Sequence, residues 1–282
     1  MYLISQTIKS QFIVKMSKWI AMICHPINGK LRREYREKLE WRRKDFNCEM
    51  PFESAKIPIY IISFNRLSYL KQMIEWLEKY DFQNINVIDN NSNYKPLLEY
   101  LKGLKYNVYY MEKNYGHGVF WSSGKFDDVI RSSFYIVSDP DIAANENLKP
   151  DFIKDFYRLL GEYPGVVKVG FALDKDDLPD TETNVIVKKW EQQFWERKLK
   201  DDLEIYGANI DTTFALYRPG KLRANTPIFY RAIRVAGNFT AKHLPWYITE
   251  NFTEEEQNYF DCSDSRSATW LKDVEYYRKV VK

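Results

Sequence analysis

The chain is short of cysteine, histidine and glycine, with three Cys, three His and 11 Gly in 282 residues. Cys24, Cys48 and Cys262 are too few and too scattered for a disulfide framework or a zinc site, and they suit a reducing compartment. No run of about 18 uncharged apolar residues is present, which leaves a membrane-spanning helix without support. An excess of one charge is missing as well. Lys and Arg number 42 against 39 Asp and Glu, a net charge of +3, so no overall field points to nucleic acid as a partner. There is no internal repeat and no low-complexity segment.

Ring surface, in contrast, is abundant. Aromatics make up 16% of the chain, with 21 Tyr, 17 Phe and 8 Trp, more than an ordinary core uses, so part of this surface is expected to line a binding groove. The length suits one large α/β domain with or without an appendage.

Three regions are expected. In residues 1–56, "MYLISQTIKSQFIVKMSKWIAMIC" sets Ile4, Ile8, Phe12, Met16, Trp19, Ile20 and Ile23 on one broad helical face, and the basic "KLRREYREKLEWRRKDF" follows. This extension reads either as an amphipathic helix at an anionic membrane surface or as a helix packed on the domain with a solvated basic face. In residues 57–148, short apolar runs alternate with helical patterns: "IPIYIISFNR", "LSYLKQMIEWLEKY", "INVIDNNS", "KPLLEYLKGL", "YNVYYME" and "FYIVSDPD". That rhythm predicts a mostly parallel sheet flanked by helices, with ligands at the carboxyl ends of the strands. The strand ends "SFNR", "DNNS", "EKNYGHG" and "SDPD" are all polar and read as one site. In residues 149–282 the alternation weakens. A helix over "NLKPDFIKDFYRLLGEYPG", strands "VVKVGFAL" and "TTFALYRPG", a helix around Trp190, Phe194 and Trp195, and a loop "RVAGNFTAKHLPWY" are expected. Thr253 with Glu256 three residues on has the spacing of a capping box.

The Asp139-Pro140-Asp141 sequence carries the sharpest chemistry. Proline stops the strand, and two carboxylates with positions left open for phosphate and water suit Mg²⁺ or Mn²⁺. A carboxylate at Asp89 can accept the imide N–H of uracil or thymine, which cytosine N3 lacks, and Gly116 and Gly118 let backbone approach a ligand.

From "ISFNR" through "VIDNNS" and "KNYGHG" to "SDPD", over roughly 57–148, the chain resembles family-2-like glycosyltransferases of the GT-A fold (nucleotide-diphospho-sugar transferase fold). The resemblance implies a nucleoside pocket from Ser63, Asn65, Arg66 and Asp89, with Asn114 and Gly116 near the ribose or sugar. Asp141 and Asp139 would hold the donor diphosphate through a divalent metal, and His243 would join as a ligand. "YGANIDTTFALYR" resembles the acceptor-side segment of inverting members, which would make Gly207 part of the acceptor loop and Asp211 the base. Ile210 replaces the first acid of the usual Glu-Asp pair, and Glu191, Asp174 and Asp177 stay open as alternatives. Trp246, beside His243, is the expected sugar or acceptor contact, while Trp190 and Trp195 are more simply core or lid residues.

The implied activity is metal-dependent transfer of a sugar from a nucleotide donor, UDP-linked by the Asp89 argument, to a hydroxyl of a glycan or lipid-linked acceptor with inversion. The expected location is cytoplasmic, at a membrane's inner face if the N-terminal helix is interfacial. Two other classes remain. A sugar-phosphate nucleotidylyltransferase also joins an α/β sheet to a metal, although "IYIISFNRLSYL" lacks the Gly- and Arg-rich phosphate loop it needs. A non-catalytic sugar- or membrane-binding protein of the same fold is the other.

Overall fold

The computed structural model describes residues 49–200, 204–249 and 253–263. The expected N-terminal amphipathic and basic helices fall almost wholly outside them. Among the described residues no helix is long and apolar enough to cross a membrane.

The alternating first half folds as its pattern predicts. Strand β1 (Ile59–Ser63), helix α1 (Leu67–Lys79), strand β2 (Ile85–Asp89), helix α2 (Lys95–Lys102) and strand β3 (Asn107–Tyr110) come first. Two short helices, α3 (Val119–Ser122) and α4 (Asp127–Ser132), then lead into β4 (Tyr135–Ser138). β1, β2 and β4 are buried along their whole length, which is why they read as apolar runs without alternation: helices cover both faces of a parallel sheet. α1 buries Leu70, Met73, Ile74 and Leu77, a single stripe at three- and four-residue spacing.

Next come β5 (Ile142–Ala144), α5 (Phe152–Glu162), β6 (Lys168–Leu173), α6 (Glu182–Gln192), β7 (Lys198–Lys200), β8 (Ile205–Tyr206), β9 (Ala215–Tyr217), β10 (Ala232–His243) and α7 (Glu254–Cys262). One ten-stranded sheet runs through both halves in the order β3-β2-β1-β4-β9-β6-β10-β8-β7, with β5 also paired to β10. The sheet is mixed rather than mostly parallel. β1–β2, β2–β3, β1–β4 and β6–β10 are parallel, whereas β4–β9, β6–β9, β5–β10, β8–β10 and β7–β8 are antiparallel. The reversal comes from β9, which returns between β4 and β6. Gly170 permits the close approach there, since a Cβ at this position would lie 2.4 Å from the Phe214 carbonyl oxygen.

A second correction concerns "RVAGNFTAKHLPWY", which is a strand and not a loop up to His243. Its register against β6 jumps from Val235 opposite Phe171 to Thr240 opposite Ala172, and the extra residues include Gly237 at φ +65°. A bulge of this size breaks the two-residue alternation by which a strand is read from sequence.

Much of the abundant ring surface builds two core layers. On one face Phe152, Phe156, Phe171 and Phe214 pack with Trp76 of α1; on the other Phe120 and Trp121 of α3 pack with Tyr135, Tyr217 and Phe229. Tyr135 and Tyr217, cross-strand partners, stack at 5.0 Å between centroids.

Candidate active site

The carboxyl ends of β1, β2 and β4 lie side by side because the three strands pair in parallel, so Ser63, Asp89 and Ser138 open onto one edge of the sheet. Asn65 sits just past β1 at φ +52°, fully buried. Its Oδ1 accepts the backbone N–H of Asn93 (2.8 Å) and Tyr94 (3.0 Å), and its own N–H donates to Ser92 Oγ at 3.0 Å. Asn65 thereby ties the β1 end to the loop after β2. Ser63 Oγ is buried with no hydrogen-bond partner.

Asp89 is 3% exposed, and Oδ1 accepts the Ser92 N–H at 3.3 Å. Burial pushes its carboxyl above the usual range, against the pull of the Ser92 contacts. Next to it, Asn90 Nδ2 donates to Asn114 Oδ1 (2.9 Å) and the Gly116 carbonyl (3.1 Å), while Asn90 Oδ1 accepts the Tyr115 N–H at 3.0 Å. Asn114 Oδ1 also accepts the Gly116 N–H at 2.7 Å. Gly116 adopts φ +72°, which favours glycine, and a Cβ there would meet open space. The β2 end and the 111–118 loop are thus one hydrogen-bonded unit.

At the β4 end, Pro140 turns the chain and β5 pairs antiparallel with the end of β10, placing Ile142 opposite His243. This pairing carries His243 Nε2 to 3.6 Å from Asp141 Oδ2 across a hundred residues of sequence. Burial lowers the proton affinity of His243, Asp141 opposes that, and the ring packs on Trp246 at 4.7 Å. Trp246 is 6% exposed, and its carbonyl accepts Asn184 Nδ2.

The same Asp141 Oδ2 accepts Arg66 Nη1 at 2.9 Å, and Arg66 Nη2 donates to Glu256 Oε2 of α7 at 3.1 Å. The guanidinium lies 3.7 Å from the Tyr259 ring centroid. Burial would weaken its hold on the proton, but Asp141, Tyr259 and Glu256 more than offset that and leave its pKa raised. Helix α7 is capped by its own Thr253 and fastened again through Glu255. Thr253 caps it by accepting the Glu256 N–H, and Glu255 accepts the Ser68 N–H at 3.0 Å and its hydroxyl at 2.9 Å. Glu255 therefore serves as a remote cap for the first turn of α1, whose N–H groups lack partners inside their own helix. Of the anticipated capping box, the Thr253 half forms while the Glu256 carboxylate turns to Arg66.

Asp139 connects the β4 end to the loop before β9: its N–H donates to the Thr212 carbonyl at 2.9 Å and Thr212 Oγ1 donates to its carboxylate. Burial first, and the neighbouring Asp141 second, raise the Asp139 pKa well above the carboxylate range. Its neighbour in that loop, Asp211, is half exposed, and Asp211 Oδ1 lies 3.7 Å from His117 Nε2. Beneath the loop Lys168, with no exposed surface, donates from Nζ to the Asp211 carbonyl (3.0 Å) and to the Tyr217 hydroxyl (3.1 Å). Burial pulls the Lys168 pKa down to about 7.

The remaining candidates lie elsewhere or are engaged. Gly207 follows β8, its N–H bonded to the Arg197 carbonyl at 2.9 Å, and a Cβ here would lie 3.2 Å from Leu199 Cδ2. Glu191 is buried in an ion pair with Arg234. Asp177 pairs with Lys242 and accepts the Tyr247 hydroxyl. Asp174 Oδ1 accepts the Asp176 N–H. The residues that sequence reading passed over are Asn90, His117, Lys168, Thr212, Glu255 and Tyr259. Asn90, His117 and Thr212 lay within the motifs "DNNS", "EKNYGHG" and "YGANIDTTFALYR" without being singled out, whereas Lys168, Glu255 and Tyr259 had no such signal.

Among the described residues no three His, Cys, Asp or Glu side chains converge as a preformed metal cluster. The donor set nonetheless suits a divalent cation. Asp141 Oδ1 and His243 Nδ1 are buried without hydrogen-bond partners, and Asp139 is held beside a second carboxylate.

No protein-family model and no curated protein matches the chain. Among solved structures, it is similar to the mannosyltransferase PcManGT from Pyrobaculum calidifontis in complex with GDP-Man and Mn²⁺. The TM-score is 0.41 and the identity 11%, covering 93% of this chain and 80% of that one.

Proposed function

We propose that this chain is a metal-dependent, inverting glycosyltransferase of GT-A type that moves a sugar from a nucleoside diphosphate, UDP by preference, to a hydroxyl of a glycan or lipid-linked acceptor. One observation carries the reading: the ends of β1, β2 and β4 present Arg66, Asp89 and the Asp139/Asp141 pair on one sheet edge, with His243 brought to Asp141 by the β5–β10 pairing.

In this reading Asp89 accepts the uracil imide N–H, its oxygens dry enough to make that bond selective. The Asn90–Asn114–Gly116 unit holds the loop that borders the ribose and sugar. Asp139, Asp141 and His243 would hold Mn²⁺ or Mg²⁺, which neutralises charge on the departing diphosphate when bound. Arg66 adds a fixed cation beside them, positioned by Glu256 and Tyr259. On the other side of Thr212, the half-exposed Asp211 supplies a carboxylate for the acceptor side.

The occupancy of Asp141 by Arg66 favours a second reading, a donor-binding protein of this fold without turnover. One experiment separates the two. Calorimetric titration with UDP and Mn²⁺ is followed by a panel of nucleotide sugars scored for Mn²⁺-dependent release of nucleoside diphosphate. Transferase chemistry predicts binding and slow hydrolysis, both lost in Asp141→Ala; binding without hydrolysis selects the second reading. Unaltered metal-dependent affinity in Asp141→Ala removes the site altogether.

A further inference from the structure

Taking the transferase reading as its basis, we propose that His117, oriented by Asn225 and paired with Asp211, is the group that takes the proton from the attacking hydroxyl, so that Asp211 acts through the imidazole rather than alone. His117 lies in the loop after β3 and Asp211 in the loop before β9, nearly a hundred residues apart in sequence. Two oxygens face one ring nitrogen: His117 Nε2 is 3.3 Å from Asn225 Oδ1 and 3.7 Å from Asp211 Oδ1. Asn225 Oδ1 also accepts the Tyr230 hydroxyl at 2.9 Å, which fixes that amide oxygen in place.

The Asn225 amide oxygen only accepts hydrogen bonds, so at 3.3 Å it places the proton on Nε2, and the Asp211 carboxylate at 3.7 Å adds its charge on the same side. The lone pair of the neutral ring is then on Nδ1. Asn225 orients the ring and its tautomer, and the Asp211 carboxylate stands where it favours the cation formed on proton uptake, the second of the two tasks that the carboxylate performs in catalytic His–Asp pairs. The loop backbone beside the ring is open, since apart from its chain neighbours nothing lies within 4 Å of the Cβ position at Gly116. The dyad is also joined to the donor side, since Thr212, next to Asp211, donates to Asp139.

The step balances. The acceptor oxygen forms its bond to the anomeric carbon while its proton passes to Nδ1 of His117. The bond from that carbon to the diphosphate oxygen breaks, its electron pair leaving with the nucleoside diphosphate. The imidazolium, paired with Asp211, later returns the proton to solvent from Nδ1. In donor hydrolysis water takes the place of the acceptor, so the same base is tested without knowing the acceptor.

The experiment has two arms. First, nitrogen-15 NMR of the imidazoles in the unliganded protein, with His117 assigned by its loss in His117→Gln, reads the tautomer independently of any activity. The neutral ring should be protonated on Nε2 in the wild type and lose that bias in Asn225→Ala, while Asp211→Asn lowers the pH at which the ring takes up its second proton; an Nδ1-protonated ring, or a midpoint that Asp211→Asn leaves unmoved, overturns the proposal. Second, Mn²⁺-dependent hydrolysis of the nucleotide-sugar panel is compared in His117→Gln, Asp211→Asn and the double variant. The expected loss in His117→Gln is about 10²- to 10⁴-fold, with UDP affinity retained, partial rescue of His117→Ala by added imidazole, and a double variant no worse than His117→Gln. Near-normal turnover in His117→Gln beside a large loss in Asp211→Asn makes Asp211 the base and refutes the dyad. A wild-type protein that hydrolyses no nucleotide sugar removes the transferase reading and this proposal with it, an outcome distinct from a failure of His117 alone.

Discussion

Replacing Lys168 by methionine tests the buried polar layer beneath the Asp211 loop. The ammonium has no exposed surface, hydrogen-bonds only to the Asp211 carbonyl and the Tyr217 hydroxyl among the described contacts, and lies 3.9 Å from the Phe229 ring centroid. Burial lowers its pKa from 10.5 to about 7. Between these values the unfolded chain binds a proton that the folded chain does not, so the Lys168 contribution to stability rises with pH. Below pH 7 both states are protonated and the full penalty of burying the charge is present. From pH 7 to pH 9 the contribution should grow by about 2 kcal/mol, at 1.36 kcal/mol per fully developed pH unit. Tyr217, whose phenol burial raises well above its ordinary value, opposes this trend only in more alkaline solution. Methionine keeps the length and removes the titration. Urea unfolding of wild type and Lys168→Met at pH 7, 8 and 9 isolates the residue, because other titrating groups are common to both proteins. The wild type should gain about 2 kcal/mol on the variant across that interval. A stability difference that stays constant with pH would refute a neutral-leaning buried lysine.

Two other predictions address the donor end. UDP should inhibit nucleotide-sugar hydrolysis well and CDP poorly, because Asp89 offers an acceptor to the uracil N3–H, where cytosine N3 has no proton to donate; equal inhibition constants would take Asp89 out of the pocket. Glu255→Ala leaves the Ser68 N–H at the start of α1 without its carboxylate and should cost about 1–2 kcal/mol in urea unfolding, the scale of a lost helix cap. An unchanged midpoint would show that water replaces the carboxylate without loss.

The sequence by itself determined the parallel half. Fully buried strands such as Ile59–Ser63 and Ile85–Asp89 appear as short apolar runs, the stripe Leu70, Met73, Ile74, Leu77 appears at helical spacing, and each run ends where its polar residues begin. These are properties of neighbours in the chain, so they are visible in it, as is the Thr253 cap. The antiparallel half was less legible. β10 hides behind a bulge at Gly237, and β5, β7 and β8 are two or three residues long, too short to establish a period. What only the tertiary structure decided is which polar groups meet. The β5–β10 register sets His243 against Asp141, α7 carries Glu256 to Arg66 from 190 residues away, and β9 lays the Asp211 loop over Lys168 and opposite His117. Burial then assigns their protonation, pulling Lys168 down and pushing Asp139 up, because the cost of a charge depends on the solvent and partners around it and not on its neighbours in sequence.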